Sequence, residues 1–208
     1  MKERILIVGA GGHARSVADI ALESEQIEIA GFIDNKPGNV LGIPVIGNDD
    51  DLEKFYESGI KSAFIAIGEN KLRSSLFFKL KNIGFNFVNI ISSNSHISRR
   101  AVLGTGICVM AGAAVNVNTV IEDNCIINTN CCIDHDCKIG RDCHIAPGVA
   151  MSGTVTVGDG THIGTGSNVI DGISIGSGSY IGAGAAVVKD IPERVMAYGV
   201  PARVIRNL

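Results

Sequence analysis

The chain has 208 residues, of which 46% are hydrophobic and 19% charged, with 26 glycines, no tryptophan and a formal net charge of −3. That balance supports a sizeable core and excludes the strongly basic surface that nucleic acid or an anionic membrane would attract. The first apolar run ends within a few residues at Gly9, too soon for a signal h-region or a membrane span, so a cytoplasmic location is expected.

Ile5-Leu6-Ile7-Val8 predicts a strand, Gly9-Ala10-Gly11-Gly12-His13-Ala14 a turn, and the spacing of Val17, Ile20 and Ala21 a helix over 16–22. A second strand over 28–33 runs into Asp34-Asn35-Lys36, an acid about twenty residues after the turn, as in the dinucleotide fingerprint. A third apolar run over 63–68 precedes a helix over 70–82 stopped by Gly84, and a last strand falls over 87–91. Residues 1–92 therefore read as a small Rossmann-like domain, but one holding only about one of the two βαβαβ halves of a full dinucleotide fold. Half a fold suits a mononucleotide better than NAD. The backbone N–H groups of Gly11 and Gly12 at a helix N-terminus would cradle a pyrophosphate, with Asp34 taking ribose or base contacts. A plain tight turn is the alternative.

From Ile97 to Val187 an aliphatic side chain recurs every six residues, sixteen times without a slip, often followed by glycine as in Ile139-Gly140. Neither helix nor ordinary strand has that period. It marks a parallel β-helix, in which each repeat is a short strand plus a turn and stacking buries the aliphatic column. The fifth repeat position is small, including Cys125, Cys131, Cys137 and Cys143, so these thiols read as fillers of a cramped interior. Zinc sites use closer pairs, and no metal is expected. The second domain spans 93–208.

The segments GAGGHA at 9–14, FIDNK at 32–36, FIAIGEN at 64–70, INTNCCIDHDCKIG at 127–140, HIAPGVAMSGTVTVGDG at 144–160 and GVPARVI at 199–205 together span nearly the whole chain. In them the chain resembles the bacterial sugar-nucleotide N-acetyltransferases and the related sialic acid O-acetyltransferases. The resemblance implies a Rossmann-like nucleotide-sugar-binding domain followed by a left-handed β-helix of triangular section, with eighteen residues per coil. It further implies a cytoplasmic homotrimer that uses acetyl-CoA, without a metal, to acetylate a UDP-linked 4-amino-4,6-dideoxy sugar for surface glycan synthesis. Acetylation of sialic acid oxygen is the alternative within the family. A regulatory or structural nucleotide-binding β-helix is the alternative outside it.

Acetyl transfer to an amine needs a base for the departing proton and donors for the oxyanion. The resemblance points to His135 as base, with Asp136, often Glu in the family, orienting it. Eighteen-residue coils would stack Gly153 on His135 about 4.8 Å along the axis. A glycine there would leave room for the thioester and offer an N–H to its oxygen. His144 and His162, also eighteen apart, would share an outward face; His144 matches a histidine near the acetyl donor, whereas His162 reads as plain surface. Gly182, Ala183, Lys189 and Arg203 are the expected coenzyme contacts, the two cations facing its phosphates. Gly11, Gly12, His13, Asp34, Asn35, Lys36, Gly68 and Arg73 are the expected acceptor-binding set. His13 matches a pocket histidine and Arg73 a basic position of the family, although a single Arg on a helix is ordinarily solvated.

Overall fold

The computed structural model describes residues 2–208 and divides into two compact units, one up to Ser92 and one from Ser93 to Leu208. In the first, the elements run β1 (Glu3–Val8), α1 (Gly12–Glu23), β2 (Ile27–Ile33), β3 (Asn39–Val40), β4 (Ile43–Gly47), α2 (Leu52–Glu57), β5 (Ser62–Ile65), α3 (Asn70–Ile83) and β6 (Asn86–Phe87). They build one sheet in the order β3-β4-β2-β1-β5-β6, parallel throughout except between β3 and β4. The central β1 is covered on both faces, and Ile5, Leu6, Ile7 and Val8 are buried, which is why it reads as an unbroken aliphatic run rather than an alternation.

Helix α3 ends as its sequence predicts. The Glu69 carboxylate accepts from the backbone N–H groups of Lys71 and Leu72 at 2.9 and 2.6 Å, and Gly84 closes the helix at φ +112°. Helix α1 begins four residues earlier than expected, because the end of the turn, Gly12-His13-Ala14, already forms its first residues, with Gly11 at the N-cap. Two features fall where no element was expected: the β3–β4 hairpin, which turns at Leu41 and Gly42 with positive φ, and the six-residue α2. The strand expected over 87–91 is split into Asn86–Phe87 and Ile90–Ile91.

In the second unit a two-residue strand recurs every six residues from His96–Ile97 to Ala186–Val187, and each pairs in parallel with the strand eighteen residues away. Three sheets result, with Ile133, Ile139 and Ile145 starting one coil and Met151, Val157 and Ile163 lying directly over them. The fold is a small Rossmann-like domain followed in the chain by a left-handed β-helix of hexapeptide repeats. An antiparallel pair, Val195–Gly199 with Ala202–Asn207, extends the sheet of Tyr180–Ile181.

The small fifth-position side chains do more than fit. Cys125, Cys137 and Cys143 direct their thiols at the carbonyls of Gly140, Ser152 and Gly158 at 3.1–3.2 Å, and Thr119 and Thr161 do the same to Asp134 and Gly176 at 2.7 and 2.8 Å. Each bond satisfies a turn carbonyl fifteen residues on, inside an otherwise apolar core.

Candidate active site

The turn Asp134-His135-Asp136 follows the strand Cys132–Ile133. Asp136 adopts φ +58°, as Asn118, Asn124, Asn130 and Asp142 do at the same repeat position. The left-handed region suits Asn, Asp and Gly better than Glu, so the shorter acid fits this turn. Its Oδ2 lies 2.9 Å from His135 Nδ1. An ionised carboxylate only accepts, so Nδ1 carries the proton and Nε2 keeps the lone pair. Asn118 Nδ2 donates to the other oxygen of Asp136 at 3.0 Å. Asp134 accepts from Asn116 Nδ2 at 2.9 Å and from the His135 backbone N–H at 2.8 Å. These bonds hold both carboxyls below their ordinary range, and the bond to Asp136 raises His135 above its own. The His135 and Asp136 side chains are about half exposed.

Gly153 does stack on His135. A Cβ there would stand 2.5 Å from Cε1 and 2.6 Å from Nε2 of the imidazole. The missing side chain makes room for the imidazole ring itself.

On another face, His144 Nε2 lies 3.0 Å from the Asn128 amide nitrogen. Its ring meets that of His162 edge-on at 4.7 Å, and His162 lies flat on Tyr180 at 4.4 Å and 6°. His162, expected as plain surface, is thus the middle of a three-ring stack. Farther along, a Cβ on Gly182 would lie 2.7 Å from Tyr198 Cβ, and Tyr198 pairs with Arg203 across the terminal hairpin. Gly182 and Arg203 therefore flank one tyrosine. Ala183 is exposed beside them, and Lys189 is exposed after Ala186–Val187.

In the first unit, a cleft of about 330 Å³ is lined by Ala10, Gly11, Asp34, Lys36, Pro37, Gly38, Asn39 and Val45. Both carboxylate oxygens of Asp34 accept backbone N–H groups, from Ala10 at 2.8 Å and Lys36 at 3.0 Å, tying the glycine turn to the exit of β2. Asn35 is exposed at its edge. The turn itself rests on Gly9, at φ +102° with Ile67 and Ala66 hard against it. By contrast, a Cβ on Gly11 or Gly12 would meet nothing within 4 Å. The chain's own packing does not require those two glycines.

Arg73 is not solvated. It is 1% exposed, and its guanidinium donates to the carbonyls of Ile67 and Gly68 at 3.1 and 3.2 Å and to Asn70 Oδ1 at 2.9 Å, bracing the exit of β5. Burial, followed by the Arg73 charge, pushes His13 down to about 4, so its imidazole is neutral at pH 7. Its Nε2 is shielded from solvent and has no hydrogen-bond partner among the described residues. Neither residue lines the cleft, nor do Gly12 and Gly68.

Asn116, Asn118, Asn128 and Asp134 were not anticipated. The 18-residue coil was the available signal for two of them, since Asn116 and Asn118 stand one coil below Asp134 and Asp136. Burial pushes the Cys131 thiol up to about 12 and raises that of Cys137, as befits interior packing groups, whereas the exposed Cys132 is raised by partial desolvation and then by the Asp134 charge. Among the described residues no group of His, Cys, Asp and Glu is arranged to hold a metal ion, and no helix is long and apolar enough to cross a membrane.

Residues 4–80 match the PglD N-terminal domain, and residues 118–153 match the bacterial transferase hexapeptide (six repeats). The chain is similar to PerB of Caulobacter crescentus, whose crystal structure holds CoA and GDP-perosamine, at 41% identity over 97% of each chain and a TM-score of 0.94. It is also similar to the acetyltransferase domain of PglB from Neisseria gonorrhoeae, at 33% identity over 98% of this chain and 100% of that one, with a TM-score of 0.91. A structure of that domain in complex with acetyl coenzyme A aligns with a TM-score of 0.88. An uncharacterized protein of Acanthamoeba polyphaga mimivirus is 35% identical over 104 residues, 49% of this chain, which spans only 20% of that protein's length.

Proposed function

The chain belongs to the hexapeptide-repeat sugar N-acetyltransferases that carry a PglD-type N-terminal domain, and on that footing we propose that it moves the acetyl group of acetyl-CoA onto the amine of a nucleotide-linked amino sugar. The first unit binds the nucleotide. Glycines at 11 and 12 that the fold does not need, beside a cleft lined by Asp34 and Lys36, support a pyrophosphate seated on the start of α1. Family resemblance favours uridine diphosphate with a 4-amino-4,6-dideoxy sugar. The similarity to PerB, crystallised with GDP-perosamine, favours a guanosine diphosphate instead.

His135 is the general base, and the observation that carries this role is the bond from its Nδ1 to Asp136, which leaves the Nε2 lone pair to accept a proton. Nε2 takes the proton of the sugar amine as nitrogen attacks the thioester carbonyl. The C–N bond forms, the C–S bond breaks, and CoA leaves as a thiol once protonated. Asp136 stabilises the imidazolium in between. His144, Gly182, Ala183, Lys189 and Arg203 contact the acyl donor, the two cations facing its phosphates. The protein works as a homotrimer in the cytoplasm.

The test is thiol release from acetyl-CoA in the presence of UDP- and GDP-linked 4-amino sugars and their 4-hydroxy counterparts. Only the amines should be acetylated. His135→Ala should lose about 10² to 10⁴ in kcat with its circular dichroism unchanged. Turnover near wild type in that variant would remove His135 from the mechanism.

A further inference from the structure

Asn118 lies one coil below Asp136, and its amide holds one carboxylate oxygen at 3.0 Å while the other oxygen holds His135 Nδ1 at 2.9 Å. We propose that Asn118 is a positioning residue of the acetyl transfer, which acts through Asp136 to keep the imidazole in the tautomer that presents Nε2. This rests on the reading of His135 as the base.

The geometry separates this bond from ordinary coil stapling. The same Asn-to-Asp bond, eighteen residues apart, joins Asn124 to Asp142 at a different corner, where both residues are buried and the turn carries no histidine. That pair serves the stacking of coils. Asn118 is exposed, so its bond contributes little to burial, and what it restrains is the direction of a carboxylate that would otherwise rotate in solvent. A free Asp136 could turn both oxygens to water and release Nδ1. The imidazole would then exchange tautomers, and the lone pair would spend part of its time on the wrong nitrogen.

Two acids face His135 from its own turn, Asp134 and Asp136, while the residues stacked below (Asn116, Val117, Asn118) and above (Ser152, Gly153, Thr154) bring no charge. The nearby thiols of Cys132 and Cys137 are held protonated. Asp136 is therefore the group whose orientation Asn118 can alter, and Asp134 is fixed separately by Asn116.

Because Asn118 sits at φ +60°, glycine removes the amide without straining the backbone, and the same holds for Asn124 at φ +59°. Asn118→Gly should lower plateau kcat about tenfold, a part of what a general base supplies, with little change in KM for acetyl-CoA. Its acid limb in the pH–rate profile should move to lower pH, since a loosened Asp136 supports the imidazolium less. Asn124→Gly should lower Tm and leave the limb where it is. Imidazole NMR titration of His135 in the ligand-free protein should show the same downward shift in Asn118→Gly, and that readout does not depend on turnover. An unchanged His135 titration and an unmoved limb in Asn118→Gly would overturn the proposal, even if kcat falls. Full activity in His135→Ala would overturn the reading beneath it instead, whatever Asn118 does.

Discussion

Replacing His13 with Leu removes a group whose proton affinity differs between the folded and unfolded chain. In the fold it titrates near 4, held down first by burial and then by the Arg73 cation, against an ordinary 6.5. Between those values the unfolded chain binds a proton that the folded chain does not, so stability falls as pH falls from about 6.5 toward 4. Between pH 7 and pH 5 the loss from this one group comes to about 2 kcal/mol. The Leu variant has no such loss, and it also lacks the shielded Nε2 without a hydrogen-bond partner. It should match or exceed the wild type at pH 7 and lead it by about 2 kcal/mol more at pH 5. With no tryptophan in the chain, urea unfolding is best followed by far-ultraviolet circular dichroism at the two pH values. The other histidines are common to both proteins and cancel in the difference. Wild-type and variant stabilities that change in parallel between pH 7 and 5 would refute a burial-depressed His13. If the imidazole also contacts the sugar nucleotide, the same variant will be more stable yet show a raised KM for that substrate.

Asp136→Asn should move the acid limb of kcat/KM to lower pH, because the anion that raises His135 is gone; a limb that stays in place would exclude Asp136 as its partner. Gly12→Val should raise KM for the nucleotide sugar and leave that for acetyl-CoA alone, with a stability change within about 1 kcal/mol since the Cβ enters open space. Unchanged nucleotide affinity by calorimetry would return that glycine to a plain turn. Gly153→Ala should keep Tm but lose tenfold or more in kcat, because its methyl needs the space now held by the His135 ring, and normal turnover would show that the imidazole works from another rotamer.

The period of six made most of the second unit legible, because a solenoid repeats its geometry with its sequence. Once eighteen residues close a coil, the stacking of Gly153 on His135 and of His162 on His144 follows by subtraction. The same subtraction, applied to polar side chains, would have found Asn116 and Asn118, but amides in turns look like turn residues. In the first unit the central strands and α3 carried clear periodicity and capping. The β3–β4 hairpin did not, since it turns on Leu41 rather than the usual Asn or Asp. The burial of Arg73 could not be read from its position. Its burial depends on carbonyls at the exit of β5 that a sequence does not aim, and the default for an arginine on a helix is solvent.

The unbroken coil register gives the second unit something like a reading frame. Removing six residues between His135 and Gly153 would slide every later repeat round by one face and bring Asp159 to the position over the imidazole. With the cut placed after His144, the His162–Tyr180 stack would survive intact, yet be turned away from His144 and Asn128. Only a change of whole coils, eighteen residues at a time, keeps the frame on both sides of the cut. Even that would part His135 from the glycine its ring lies on, unless the coils exchanged lie wholly before or after the pair. A β-helix can therefore gain or lose whole coils away from its active corner and keep its frame, whereas between His135 and Gly153 it accommodates neither insertion nor deletion.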